Sequence, residues 1–165
     1  MRAYDPAVWV PFFTAMIAAA AGLTGLLFVA VSINLDRILK AARFLPARAA
    51  ETLATLLLVV VSSALALIPQ STRLLGLEIL IVLVPMLVLT VRSQLSYRRQ
   101  NRADPLLWTV SRMGGTAAAT VPCTVAGFSF ILHGGGGFYW LAATALLGTV
   151  GAVYNAWVLL VEIVR

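Results

Sequence analysis

The sequence predicts an all-α fold, a polytopic transmembrane helix bundle of about five spans, with an outside N-terminus and a cytoplasmic C-terminus. Three observations predict it. Hydrophobic residues make up 61% of the 165 and charged residues only 11%, at a mean hydropathy of +0.97; a soluble domain is closer to half apolar and about a quarter charged. Five stretches are long and apolar enough to cross hydrocarbon, which takes about 20 residues for roughly 30 Å. Basic residues gather at some junctions between these stretches and leave the others nearly bare.

The first stretch covers residues 7–35 and opens on Trp9, Phe12 and Phe13, aromatics suited to the headgroup level. Arg2 countered by Asp5, ahead of so long an apolar run, does not fit a cleaved signal peptide, so this stretch reads as a permanent span. The second, residues 50–69, stops at the short turn Pro69-Gln70-Ser71. The third, residues 74–96, holds Glu78 and Arg92 toward its ends and Pro85 inside, where a missing donor predicts a kink. A re-entrant pair in place of spans two and three would return the chain to the same side; two spans make the charge placement consistent at every loop. The fourth, residues 107–132, contains Pro122, and the fifth, residues 138–163, follows the glycines Gly134 to Gly137, which read as a flexible hairpin. Together they make a single transmembrane domain over residues 1–165.

Orientation follows from the charges. Arg37, Lys40, Arg43 and Arg48 lie between spans one and two, and Arg92, Arg98, Arg99, Arg102 and Arg112 in and around the junction of three and four. With Arg165 they put ten of the twelve Lys and Arg on one side, leaving Arg2 and Arg73 on the other. Positive loops stay cytoplasmic. The formal net charge of +6 therefore reports topology and contact with anionic membrane lipids rather than nucleic acid, since no basic face carries aromatics for base stacking. Arg37, Lys40, Arg43 and Arg48 are candidate headgroup contacts in a loop that also holds Ile38, Leu39, Phe44 and Leu45 and fits a short amphipathic helix; orientation alone also accounts for these charges.

Ala15, Ala18, Gly22, Gly25, Val29 and Ser32 of span one recur in steps of three and four and share a face. Such faces let helices approach closely in lipid, so a packing seam outweighs the competing reading, a pore lining. Span five carries a more polar stripe of Ala145, Gly148, Ala152, Asn155 and Glu162, and span four adds Thr116, Thr120, Cys123 and Gly127. Spans two and three are mostly aliphatic apart from Thr52, Thr55, Ser62 and Ser63, so spans one, four and five are expected to form the interior. The lone Cys123 reads as a packing residue.

Polar groups at membrane depth are costly and face protein or water. Asn34, Asp36, Glu78, His133, Asn155 and Glu162 are the candidates for a polar lining or a gate. Ion pairing at the inner end, Glu162 with Arg112 for example, is the structural reading of that set. Glu78 and His133 would form a proton-sensitive pair near the outer surface if they met; Glu78 meeting Arg73 or reaching water is the plainer outcome. Hydrolase, zinc, phosphate-loop and dinucleotide signatures are absent, so neither a cofactor, a metal nor catalysis is expected.

Trp9-x-x-Phe12-Phe13, the run from Gly22 to Asn34-Leu35, Ile68-Pro69-Gln70 and Gly76-Leu77-Glu78 resemble small uncharacterised bacterial multi-pass membrane proteins. The resemblance implies the bacterial cytoplasmic (inner) membrane and adds no mechanism. The sequence-based expectation is a homo-oligomeric channel-like or transporter-like assembly, with a non-transporting regulator or assembly partner of a larger membrane complex as the alternative.

Overall fold

The computed structural model describes residues 2–40, 45–100 and 106–164. A 3-10 turn, Arg2–Tyr4, leads into α1 (Pro6–Ile33), short α2 (Leu35–Lys40), α3 (Leu45–Leu67), α4 (Thr72–Gln100), α5 (Leu106–Leu132) and α6 (Gly137–Val164). Four stretches of these helices are long and apolar enough to cross a membrane: Pro6–Ile33, Pro46–Leu67, Thr72–Leu95 and Gly137–Leu159. Thr116–Leu132 is a shorter apolar part of α5. The chain is thus a membrane-compatible all-helical bundle.

Local chemistry sets the helix ends. Asp5 caps α1 by accepting from Ala7 N at 3.1 Å, with Pro6 at a position that needs no donor. Asn34 closes α1 by donating from Nδ2 to Ala30 O at 3.0 Å. Ser71 Oγ accepts from Leu74 N at 3.3 Å to start α4. The turn after α5 is a built one, not a loose hairpin. His133 stands in the left-handed region at φ 54, and Gly134 N donates back to Ser129 O at 3.2 Å, the six-to-one bond of a Schellman cap. Gly135 and Gly136, both at φ 85, then carry the chain into α6.

α3, α4, α5 and α6 close into a ring, each packed antiparallel on the next and α6 returning to α3. α1 lies outside this ring, against α3 and the edge of α6. The end holding the 3-10 turn and the α3–α4 and α5–α6 turns is called the crown here, and the opposite end, where α3 and α5 begin, the base. The first, fourth and fifth apolar stretches contribute Phe13, Cys123, Phe130 and Phe138 to the interior, but they do not build it alone. α3, from the second, is the hub, touching α1, α4 and α6. The physical reason lies in its side chains: Thr52, Thr55, Ser62 and Ser63 are all buried, because hydroxyls in hydrocarbon cost less against protein than against lipid.

The crown is packed with aromatics. Phe13, Phe130 and Phe138 are completely or almost completely buried, among Leu75, Ile79, Leu141 and Cys123. Phe130 meets Phe138 edge-on at 4.9 Å between ring centres, and Trp9 stacks on Phe138 at 6.1 Å. The opening aromatics of α1 thus pack into the bundle rather than forming only a headgroup belt, and Phe13 is the most enclosed of them.

The tight helix crossings are glycine-dependent, at positions other than the seam of α1. A Cβ at Gly127 of α5 would lie 2.7 Å from the Leu80 side chain and 3.3 Å from Gly76 O of α4. At Gly148 of α6 it would lie 2.8 Å from Val59 Cγ2 of α3. Ala15, Ala18, Gly22, Gly25, Val29 and Ser32 instead all face away from the bundle, and a Cβ at Gly22 or Gly25 would meet nothing within 4 Å. α1 packs inward through Phe13, Ala20 and Leu27. The small-residue face is not a seam within the chain, because α3 presents Leu56 and Val59 to the opposite side of α1, where Ala20 and Leu27 receive them.

Candidate functional site

The base differs from the crown in what it encloses. Arg48 and Glu51, on the first turns of α3, are 8% and 4% exposed. Both lie within Pro46–Leu67, a stretch apolar enough to span a membrane. An ionisable residue so placed is costly to retain and marks a functional site by default. Arg48 Nη2 donates to Asn155 Oδ1 of α6 at 3.4 Å. On the far side of the ring, Gln94 Nε2 of α4 donates to Thr116 Oγ1 of α5 at 3.1 Å.

Helical phase shows which of these groups face the middle of the ring. On α4, Leu75, Ile79, Leu83 and Met86 form the stripe that enters the crown core, and Thr90 continues it one turn toward the base. On α3, Leu58 and Ala66 enter the same core, and Glu51 lies two turns before Leu58 on that face. On α5, Cys123, Ala126 and Phe130 do so, and Thr116 lies two turns before Cys123. A cleft lined by Ala54, Leu57 and Leu58 of α3 and by Pro85, Met86 and Leu89 of α4 fixes the register of these neighbours.

The hydroxyls of this region are not equivalent. Thr52, Thr55 and Thr120 each donate to the carbonyl four residues back, at 2.9 Å in every case, so their polarity is absorbed within their own helices. Thr90, 5% exposed, does not: its Oγ1 is buried without a hydrogen-bond partner. A buried hydroxyl left in that state costs free energy, about 1–3 kcal/mol, and calls for an explanation.

The other sequence-predicted residues are dispersed. Asn34 is occupied in capping α1, and Asp36 is exposed on α2. Glu78 Oε2 accepts from Gln70 Nε2 at 2.8 Å, and the same amide group donates to Leu65 O at 3.2 Å. His133 Nδ1 lies 3.0 Å from Thr72 Oγ1, and its ring stacks on Tyr4 at 5.1 Å. Glu78 and His133 are thus each engaged elsewhere, and the structure does not bring them together as a pair. Asn155 faces Arg48 inside a single chain, which draws it away from any axis between chains. Arg48 is likewise not a headgroup contact: it is buried where α3 meets α6.

Glu162, Arg112, Arg37 and Lys40 lie in α6, α5 and α2, but their side chains fall outside the described set, and Arg43 lies outside the described residues. Among the described residues no group of three or more His, Cys, Asp or Glu is placed to hold a metal ion. Glu51 and Thr90 are the residues missed in the sequence. The available signal was a carboxylate one residue inside an apolar run and in phase with Leu58. No protein-family model matches the chain, and neither a curated protein nor a solved structure matches it.

Proposed function

We propose that the protein is a transporter-like or channel-like integral membrane protein of the bacterial cytoplasmic membrane, handling a small ion or solute at the base of each four-helix ring. The observation that carries this reading is the burial of both Arg48 and Glu51 inside an apolar helix ring. Burying two ionisable groups costs several kcal/mol per ion before pairing offsets it, and ionisable residues kept at membrane depth often mark ion or solute pathways. The basic loops support five spans with an outside N-terminus, an orientation in which the base with Arg48 and Glu51 faces the cytoplasm. The exposed face of Gly22 and Gly25 supports assembly into a homo-oligomer through α1, since small residues let lipid-embedded helices approach closely.

The test is flux from proteoliposomes loaded in turn with protons, sodium, potassium and chloride. Flux of one of these above protein-free vesicles is the expected result; none above background, with a monomer by light scattering in detergent, would end the reading. The same open α1 face favours a second reading, a non-transporting partner that docks on a larger membrane complex. Stable co-purification with another membrane protein through α1, without flux, would support it.

A further inference from the structure

We infer that the cleft between α3 and α4 holds an acyl chain of an anionic phospholipid whose phosphate is taken by Arg92. The inference rests on the chain lying in a bilayer and is independent of whether it carries flux.

The cleft has a volume of about 320 Å³, and its lining residues are all apolar. Its floor is Leu58 and Met86, 2% and 6% exposed, which belong to the core of the ring. Its rims include Leu57 and Pro85, both exposed, so it opens sideways from the bundle. Ala54, half-buried, and the compact ring of Pro85 leave space that longer side chains would close. Water gains little there, because a cavity without polar partners stays dry. An unfilled space costs its walls their dispersion contacts. In a bilayer the material at hand is hydrocarbon, and a chain lying in the cleft restores those contacts.

A second observation says which lipid. Arg92 lies two turns from Pro85 toward the base, on the same face of α4, and is exposed. Among the described residues it makes neither an ion pair nor a hydrogen bond. It stands 20 residues after Thr72, the first of α4, which is about 30 Å at the helical rise and about the thickness of the hydrocarbon. With the crown end of α4 at one face of that layer, the guanidinium stands at the other, where phosphates begin. Guanidinium and phosphate pair in bidentate fashion. On α3 the rim runs from Leu57 through Ala54 to exposed Ala50, methyl groups that leave the way toward the base unobstructed on that side. Glu51, the carboxylate on this part of α3, is 4% exposed and in phase with Leu58, beneath the groove rather than on its rim. A zwitterionic headgroup brings its own cation and gains less from Arg92 than one of net negative charge.

The test uses the full chain in phosphatidylcholine vesicles with a trace of phosphatidylglycerol that bears a diazirine on one acyl chain. Irradiation expels nitrogen and leaves a carbene that inserts into a neighbouring C–H bond, and peptide mass spectrometry locates the adducts. They are expected to concentrate on Leu57 and Val61 of α3 and on Val82 and Leu89 of α4, above lipid-facing residues such as Val150 and Trp157 of α6. Added unlabelled phosphatidylglycerol suppresses them, although the phosphatidylcholine already in excess does not. Arg92→Gln is expected to raise the phosphatidylglycerol needed for half-suppression about fivefold, the worth of one basic side chain near an anionic surface. Ala54→Phe puts a ring into the cleft and should remove the concentration of adducts there while labelling elsewhere persists.

Labelling spread evenly over the lipid-facing helices overturns the inference. So does an Arg92→Gln profile identical to the parent, or suppression by inorganic phosphate as effective as by the lipid. Should Ala54→Phe fail to fold, Arg92→Gln, at an exposed position, decides alone. Evenly spread labelling with flux sinks the lipid site and leaves the transport reading standing, and concentrated labelling without flux does the reverse. A chain that stays in the aqueous fraction ends both.

Discussion

Crown and base are built from the same four helices and hold together by different means. The crown is an aromatic cluster of Phe13, Phe130 and Phe138, fastened by Tyr4, whose hydroxyl lies 3.0 Å from Ser129 Oγ and accepts from Gly136 N at 3.0 Å. The base encloses Arg48, Glu51 and Thr90 and joins its helices through side-chain hydrogen bonds at 3.4 Å and 3.1 Å. In lipid, where no hydrophobic effect separates helix from solvent, close packing and polar contacts are the two available adhesives. The crown uses both, aromatic packing inside and polar contacts of Tyr4, Gln70 and Thr72 at its rim, whereas the base buries ionisable groups.

The crown side of that contrast breaks most completely at its glycine crossing. Gly127→Leu drives a side chain into Leu80 and Gly76 O, and loss of the monodisperse folded protein by size-exclusion chromatography is the expected outcome. Gly22→Leu adds the same volume where nothing lies within 4 Å, so the chain should fold as before and show any change in oligomeric state alone. If both variants fold equally well, the glycine-dependent crossing is wrong.

Phe130→Ala comes next. It removes the ring that meets both Phe138 and Tyr4 and should cost about 3 kcal/mol, chiefly in lost packing contacts. Denaturation in mixed micelles measures it, and a loss near zero would show that the aromatic cluster does not hold the crown. Any flux should survive the change in whatever fraction remains folded.

The smallest effect sharpens the comparison at a single residue. His133 accepts left-handed strain at φ 54 to reach Thr72 and Tyr4. His133→Gly relieves the strain and gives up both contacts, whereas His133→Ala gives up the contacts and keeps the strain. The glycine variant should therefore be the more stable of the two by about 1 kcal/mol. Equal stabilities in the same micelle titration would argue that the turn adopts a different backbone.

The helices were legible because composition and run length decide what a bilayer can hold, and the apolar runs leave little choice about where helices lie. Their neighbours were not. Gly22 and Gly25 look like Gly127 and Gly148 on a linear chain; only Leu80 and Val59, brought in from other helices, distinguish a crossing from an open face. The polar residues of α3 carried the needed information. Thr52, Thr55, Ser62 and Ser63 are better evidence for a hub than aliphatic neighbours are for a lipid face. Glu51 escaped notice because it stands at the edge of a span, where a charge usually marks a boundary; its phase with Leu58 turns it inward. Of the candidate lining residues, Asn155 proved to face a buried charge, while Glu78 and His133, suggestive by proximity to one turn, found separate partners.

Tyr4 joins the beginning of the chain to the turn between α5 and α6, across sequence separations of 125 residues to Ser129 and 132 to Gly136. Synthesis runs from the N-terminus, so Tyr4 is made 125 residues before Ser129 and 132 before Gly136. Contacts of such long range form late because the intervening loop has to be closed first. The 3-10 turn is therefore fastened late: α1 forms from contacts within itself, but its leading end is held only once the α5–α6 turn is in place.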